Sequence, residues 1–166
     1  KADAFANLMT EETGKLLQQG KSVGLIGGEH SCPLGYLRAL AKEHQRFGIL
    51  QIDAHLDLRE AYEGFTYSHA SIFYNALQIE AVQQLTQVGI RDYCQAEVEL
   101  SQGEERIKVF YDYALKQALF KGNTWEQLCR SIVDTLPEKV YISFDIDGLQ
   151  PELCPHTGTP VPGGLS

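Results

Sequence analysis

Two short stretches of this chain have the residue types and the spacing of a divalent-metal site. The first is Asp53-Ala-His55-Leu-Asp57, which follows the apolar run Phe47-Gly-Ile-Leu-Gln-Ile52. The second is Asp145-Ile-Asp147, which follows Val140-Tyr-Ile-Ser-Phe144. Successive side chains of an extended backbone point to opposite sides, so Asp53, His55 and Asp57 share one side if the strand direction continues through them, and so do Asp145 and Asp147. His30, in Gly27-Gly28-Glu29-His30-Ser31, adds a second imidazole. Four carboxylates and two imidazoles suit two hard-to-borderline ions bridged by carboxylates, manganese before others. No cysteine belongs to the set, unlike a structural zinc site. Ions held this way lower the pKa of a shared water and orient a substrate, which is the logic of metal-assisted hydrolysis. Turn aspartates and a capping histidine would explain either stretch alone, but two such clusters together leave little room for that explanation.

The elements that must position these residues read as alternating helices and strands. From Asp3 to about Gln19, Phe5, Leu8, Met9, Leu16 and Leu17 recur at helical spacing, and Gly20 closes the segment. Ser22-Val-Gly-Leu-Ile26 reads as a short strand running into the Gly27-Gly28 turn, which places His30 at a strand-to-helix turn. Ser31 is the expected cap of the next helix, with Pro33 in its first turn and Leu34, Leu37, Leu40 and Ala41 as its buried stripe. An irregular stretch over 58–68 precedes a helix from about His69 to Leu77. Leu85–Ile90 and Arg106–Tyr111 read as strands, Trp125–Leu136 as a helix opened by Thr124 and ended by Pro137, and residues 139–145 as the last strand. Such alternation predicts a parallel α/β sheet, in which ligands bind beyond the carboxyl ends of the strands.

With 166 residues, 43% of them hydrophobic, the chain is the size of one globular domain. A net charge of −8 without clustered Lys and Arg argues against a nucleic acid or an anionic membrane as partner and suits a cationic substrate. No apolar run approaches 18 residues and no signal-peptide pattern opens the chain, so the expected location is the cytoplasm. Cys32, Cys94, Cys129 and Cys154 form no Cys-x-x-Cys pair and read as reduced thiols. No Gly-Lys-Ser/Thr phosphate loop is present.

Gly27-Gly-Glu-His30-Ser, Asp53-Ala-His-Leu-Asp57 and Ser143-Phe-Asp-Ile-Asp147 resemble the three signature motifs of the ureohydrolase family, which comprises arginases, agmatinases and formimidoylglutamases. The resemblance runs from about residue 22 to the end. It implies an arginase-like fold, a three-layer α/β sandwich with a mainly parallel doubly wound sheet. It also implies that His30, Asp53, Asp57 and Asp145 hold one manganese and His55, Asp53, Asp145 and Asp147 the other, with Asp53 and Asp145 bridging two Mn2+ ions. The family hydrolyses a C–N bond of a linear amidine or guanidino compound, giving an amine plus urea or an amide. His69, in Tyr67-Ser-His-Ala-Ser71, is similar in context to a family histidine assigned proton transfer or substrate positioning, against the plainer reading of a solvated helix-opening residue. Arg59, two residues past Asp57, could pair with a substrate carboxylate, or instead sit in solvent beside Glu60 or Glu63. His44 reads as an exposed helix residue. The loop Pro155–Gly164 resembles an active-site wall of the family and contains His156, to which no role is given.

The chain departs from the family pattern at Glu29, where aspartate is commoner, and at Gln150, where aspartate is usual. Family members run to nearly twice this length, so the expectation is a partial chain, one arginase-like domain over 1–166 truncated at both ends. Exposed strand edges and apolar surface would then favour a homo-oligomer, and turnover would be poor because the family's wall that holds the amidine carbon near the attacking water lies beyond Ser166. Two further readings are a formimidoylglutamase-like activity and a metal-binding fragment without catalysis. A mononuclear zinc deacetylase shares the arginase-like sheet but would not need both His30 and Asp57.

Overall fold

The computed structural model describes residues 2–166, which fall into two compact units: one comprises the chain up to Arg46 with Asp57–Val82, the other Phe47–Leu56 with Gln83–Ser166.

In the first unit, helix α1 (Ala2–Gln18) ends at Gly20, which takes a left-handed φ of +73°. Its buried residues are Ala6, Thr10 and Thr13, whereas Phe5, Leu8 and Leu16 are exposed. Close packing on helix α2 (Pro33–Glu43) selects the small residues: a Cβ added at Gly35 would sit 2.4 Å from the Ala6 carbonyl oxygen. Thr10 Oγ1 donates to the Gly35 carbonyl at 3.0 Å, satisfying that helix contact from the side.

Two expectations fail here. Ser22–Ile26 forms no strand, because a strand exists through a hydrogen-bonded neighbour and none pairs with this segment among the described residues. It is pinned instead by Tyr36 Oη, which donates to the Val23 carbonyl at 2.6 Å, and Ile26 points wholly into solvent. Ser31 does not cap α2 either: the cap position is Cys32, in helical conformation without a side-chain cap bond, while Ser31 bonds to the Glu29 carboxylate through its hydroxyl and its backbone N–H. Leu34 and Leu37 are buried as expected, but Leu40 and Ala41 only partly. After the irregular stretch, a 3-10 turn (His69–Ser71) runs into helix α3 (Ile72–Leu77) with Ile72, Phe73, Ala76 and Leu77 buried.

The second unit is built on a four-stranded sheet of order β3-β2-β1-β4. Its strands are β1 (Phe47–Ile52), β2 (Val82–Ile90), β3 (Ile107–Tyr111) and β4 (Val140–Phe144). β1 pairs with β4 and β2 with β3, both in parallel. Helix α4 (Gln95–Gly103) leads to β3, and α5 (Asp112–Phe120) and α6 (Trp125–Val133) follow it. Thr124 caps α6 in a reciprocal box with Gln127, the same residue that marks the start of this helix in the sequence. Leu115, Leu128 and Ile132 from these helices pack with Val88 into a core that Leu50, Phe110 and Ala118 extend. From β1 the strand order grows one way through β2 and β3 and the other way to β4. The carboxyl ends of β1 and β4 therefore flank the crevice where the order reverses, the place in an open parallel sheet where ligands bind.

Candidate metal centre

Asp53 follows β1 directly, and its surroundings are fixed by β2. Asp53 N–H donates to the Val88 carbonyl at 3.1 Å, just before the register of β2 shifts between Val88 and Ile90. Gly89 takes φ +90° at that irregularity, and a Cβ there would lie 3.1 Å from the Asp53 carbonyl oxygen. Bulged strands of this kind re-aim neighbouring side chains. Arg91 and Asp92 both donate their backbone N–H to the Ala54 carbonyl, at 2.8 and 3.0 Å, and strap the ligand loop to the end of β2.

Asp145 and Asp147 do not continue an extended strand as expected. β4 ends at Phe144, and Ile146–Gly148 is a 3-10 turn capped by Asp145, whose Oδ1 accepts the Asp147 N–H at 3.1 Å. The turn rather than the strand aims Asp147 back at β1: its Oδ1 accepts the Ala54 N–H at 3.1 Å. Gly148 makes the approach possible, since a Cβ there would come within 3.0 Å of the Asp53 nitrogen.

The result is a compact donor set. Asp53, His55 and Asp147 each offer a ligand atom, all within 4.8 Å of one another. His55 Nδ1 lies 3.2 Å from Asp147 Oδ2 and 3.4 Å from Asp53 Oδ1. On the other side of the ring, His55 Nε2 is 3.6 Å from Asp92 Oδ2. Asp53 and Asp147 are almost wholly buried, at 1% and 3% exposure. Burial works against a charged imidazole, but hydrogen bonds to Asp147 and Asp53 and the negative charge of both carboxylates outweigh it and push the His55 pKa up to about 10. Two buried carboxylates around one imidazole draw positive charge to this point, and the donor set fits a hard-to-borderline dication in place of the proton.

Asp57 does not stand in line with Asp53 and His55. Its φ of 52° is left-handed, so the strand direction does not hold through the motif. Asp57 belongs to the first unit, where its Oδ2 lies 3.1 Å from His30 Nδ1, both side chains being buried, and the His30 ring meets Phe73 edge-on at 5.3 Å. Also in that unit, His69 Nδ1 is 3.6 Å from Glu29 Oε2 and its ring packs edge-on against Tyr62 at 5.4 Å. The Arg59 guanidinium lies over the same Tyr62 ring, 5.3 Å from its centre. His156 is exposed, but its loop does reach the site: Thr159 Oγ1 donates to Asp147 Oδ2 at 2.9 Å.

Sequence reasoning missed the buried amides that support the loop and the role of Arg91. The Arg91 guanidinium donates to the carbonyls of Asp147 at 2.6 Å, Leu149 at 3.1 Å and Val161 at 3.0 Å, tying the aspartate turn to the glycine-rich loop. Its position directly after a strand and before Asp92 was the available signal.

A family model described as the arginase family matches residues 1–166. An N(1)-aminopropylagmatine ureohydrolase of Thermus thermophilus is 36% identical over 99% of this chain and 53% of its own length. The agmatinase of Neisseria meningitidis serogroup A is 33% identical over 98% of this chain and 49% of its own length. Among solved structures, the agmatine ureohydrolase of Thermoplasma volcanium superposes with a TM-score of 0.83 at 29% identity, covering 100% of this chain and 53% of that one. The chain thus spans about half the length of the curated relatives it matches. The α/β architecture with its parallel sheet agrees with that solved structure, and with a family model matched over 1–166 the chain belongs to the arginase family.

Proposed function

We propose that residues 1–166 form one arginase-like metallohydrolase domain of a protein that hydrolyses a linear amidine or guanidino compound with two Mn2+ ions. The observation that carries this reading is the Asp53–His55–Asp147 cluster at the sheet's reversal point, two buried carboxylates and an imidazole whose ligand atoms lie within 4.8 Å of one another. His30, Asp53, Asp57 and Asp145 are assigned to one ion, and His55, Asp53, Asp145 and Asp147 to the other. When bound, such a pair lowers the pKa of a shared water and polarises the amidine carbon. The chain's own part is to present the Asp53 and Asp147 carboxylates, hold His55 in place and admit a cationic substrate to an acidic site. His69 is assigned proton transfer or substrate positioning, its imidazole set beside Glu29 and Tyr62. Relatives at 33–36% identity named for agmatine or aminopropylagmatine, together with the net charge of −8, favour an amine-bearing substrate of the agmatine type.

Metal analysis with substitutions tests the ligand assignment. Asp53→Ala removes a bridging carboxylate and is expected to empty both positions, whereas His30→Ala weakens mainly one. Full double occupancy in the Asp53 variant would refute it. Product analysis then separates the activities: urea from agmatine or arginine supports a ureohydrolase, formamide from formimidoylglutamate the alternative. Metal uptake with no product from any of the three indicates binding without catalysis.

A further inference from the structure

β1 and β2 each carry a glutamine that should not be there on packing grounds alone. Gln51 and Gln87 are both fully buried, at 0% exposure, in strands otherwise apolar at their buried positions apart from Thr86. A buried carboxamide is costly unless its hydrogen bonds are made; here both NH2 groups make theirs, in one direction, while Gln87 Oε1 has no partner among the described residues. Gln87 Nε2 donates to the Leu56 carbonyl at 2.7 Å and to Gln51 Oε1. Gln51 Nε2 in turn donates to Asp53 Oδ2 at 2.8 Å and to the His55 carbonyl at 3.0 Å. The accepted bond orients the Gln51 amide so that its NH2 must face Asp53. Asp53 Oδ1 is held separately by the His55 N–H at 2.7 Å, so the carboxylate plane is fixed at both oxygens.

We propose that Gln87 and Gln51 form a positioning relay that sets the orientation of the Asp53 carboxylate and the path of the His55–Leu56 backbone for metal binding. Neither residue touches an ion or substrate. The relay rests on the assignment of Asp53 as a metal ligand, and it adds two residues that no motif of the sequence marked. It acts by pre-ordering: a ligand carboxylate free to rotate loses affinity on closing around an ion, and partners behind metal ligands commonly account for ten- to hundredfold in metal affinity.

The test is Mn2+ titration by calorimetry, with thermal melting of the metal-free protein alongside, on wild type, Gln51→Met, Gln87→Met and the double variant. Methionine keeps the volume and removes the donor. The expected result is a roughly ten- to hundredfold loss of Mn2+ affinity in Gln51→Met. A smaller loss is expected in Gln87→Met, which reaches Asp53 only through Gln51, with little further loss in the double variant. Gln51→Glu should not restore affinity, because its carboxylate cannot donate to Asp53. A purely structural role would lower the melting temperature of the metal-free protein and leave affinity unchanged, and that outcome overturns the relay. Should Gln51→Met fail to fold, unchanged affinity in Gln87→Met overturns it equally. Wild-type protein that takes up no Mn2+ would instead refute the metal assignment itself, a failure distinguishable from failure of the relay.

Discussion

His55 sits between two carboxylates, so its charge depends on whether an ion is bound. Its pKa in the metal-free fold is raised from 6.5 to about 10, so the stability it contributes is fully present below about 6.5 and is lost as pH rises through about 10. Denaturant midpoints of metal-free protein are therefore expected to fall across that window, and to fall less in His55→Gln. Parallel profiles in the two proteins would show that the ring is not held charged. Manganese competes with the same proton, so its affinity should rise with pH over this range. Asp57 poses a different problem. Left-handed backbone costs most L-residues about 1–2 kcal/mol, and Asp and Asn are the side chains that tolerate it. Asp57→Asn removes the charge and keeps the backbone, whereas Asp57→Ala changes both, so only the first reads the ligand role cleanly. Arg59, stacked on Tyr62, would have a substrate carboxylate to pair with in arginine or formimidoylglutamate but none in a substrate of the agmatine type, so it tests the choice between them. In a full-length protein, Arg59→Ala is then expected to shift relative kcat/KM from arginine or formimidoylglutamate towards agmatine, and an unchanged ratio removes Arg59 from the binding set.

Elements meet at two glycines. Gly35→Ala would drive a Cβ to within 2.4 Å of the α1 backbone, and overpacking of that kind costs about 1–3 kcal/mol, readable as a lowered unfolding midpoint. Gly148→Ala would push the Asp147 turn away from Asp53, and is expected to weaken Mn2+ binding more than it lowers the melting temperature. Equal stability and affinity in that variant would mean the turn has slack. The strands β1 and β4, the cap of α6 and the gathering of Asp53, His55 and Asp147 were legible because apolar runs, capping residues and acidic strand ends are local signals. The failures came from non-local causes. Ser22–Ile26 has a strand's composition but lacks a partner, and Phe5, Leu8 and Leu16 look like a core stripe until Gly35 brings α2 against the small residues instead. Gln51 and Gln87 are invisible in the same way: the first is one polar letter in an apolar run, the second one of four in β2, and only the pairing of β1 beside β2 gives them a purpose.

Over the whole molecule the acidic balance and the sheet edge matter most. If the proposed cationic amidine is the substrate, a net charge of −8 would draw it by long-range attraction, and kcat/KM would fall with ionic strength more steeply than for a neutral analogue. β4 is an outer strand of the sheet, with Val140, Ile142 and Phe144 exposed, a surface that invites association. Sedimentation at rising concentration is expected to show assembly, reduced by Ile142→Lys. The two compact units also differ from ordinary consecutive segments in how the chain visits them. It leaves the first unit after Arg46, returns at Asp57 and leaves again after Val82. No single peptide-bond cleavage can therefore release either unit intact; freeing one requires cuts at three places, one of them inside the Asp53–Asp57 motif. A protease that nicks only the irregular stretch over 58–68 splits the first unit's own sequence while leaving the second's untouched, and the nicked halves need not come apart.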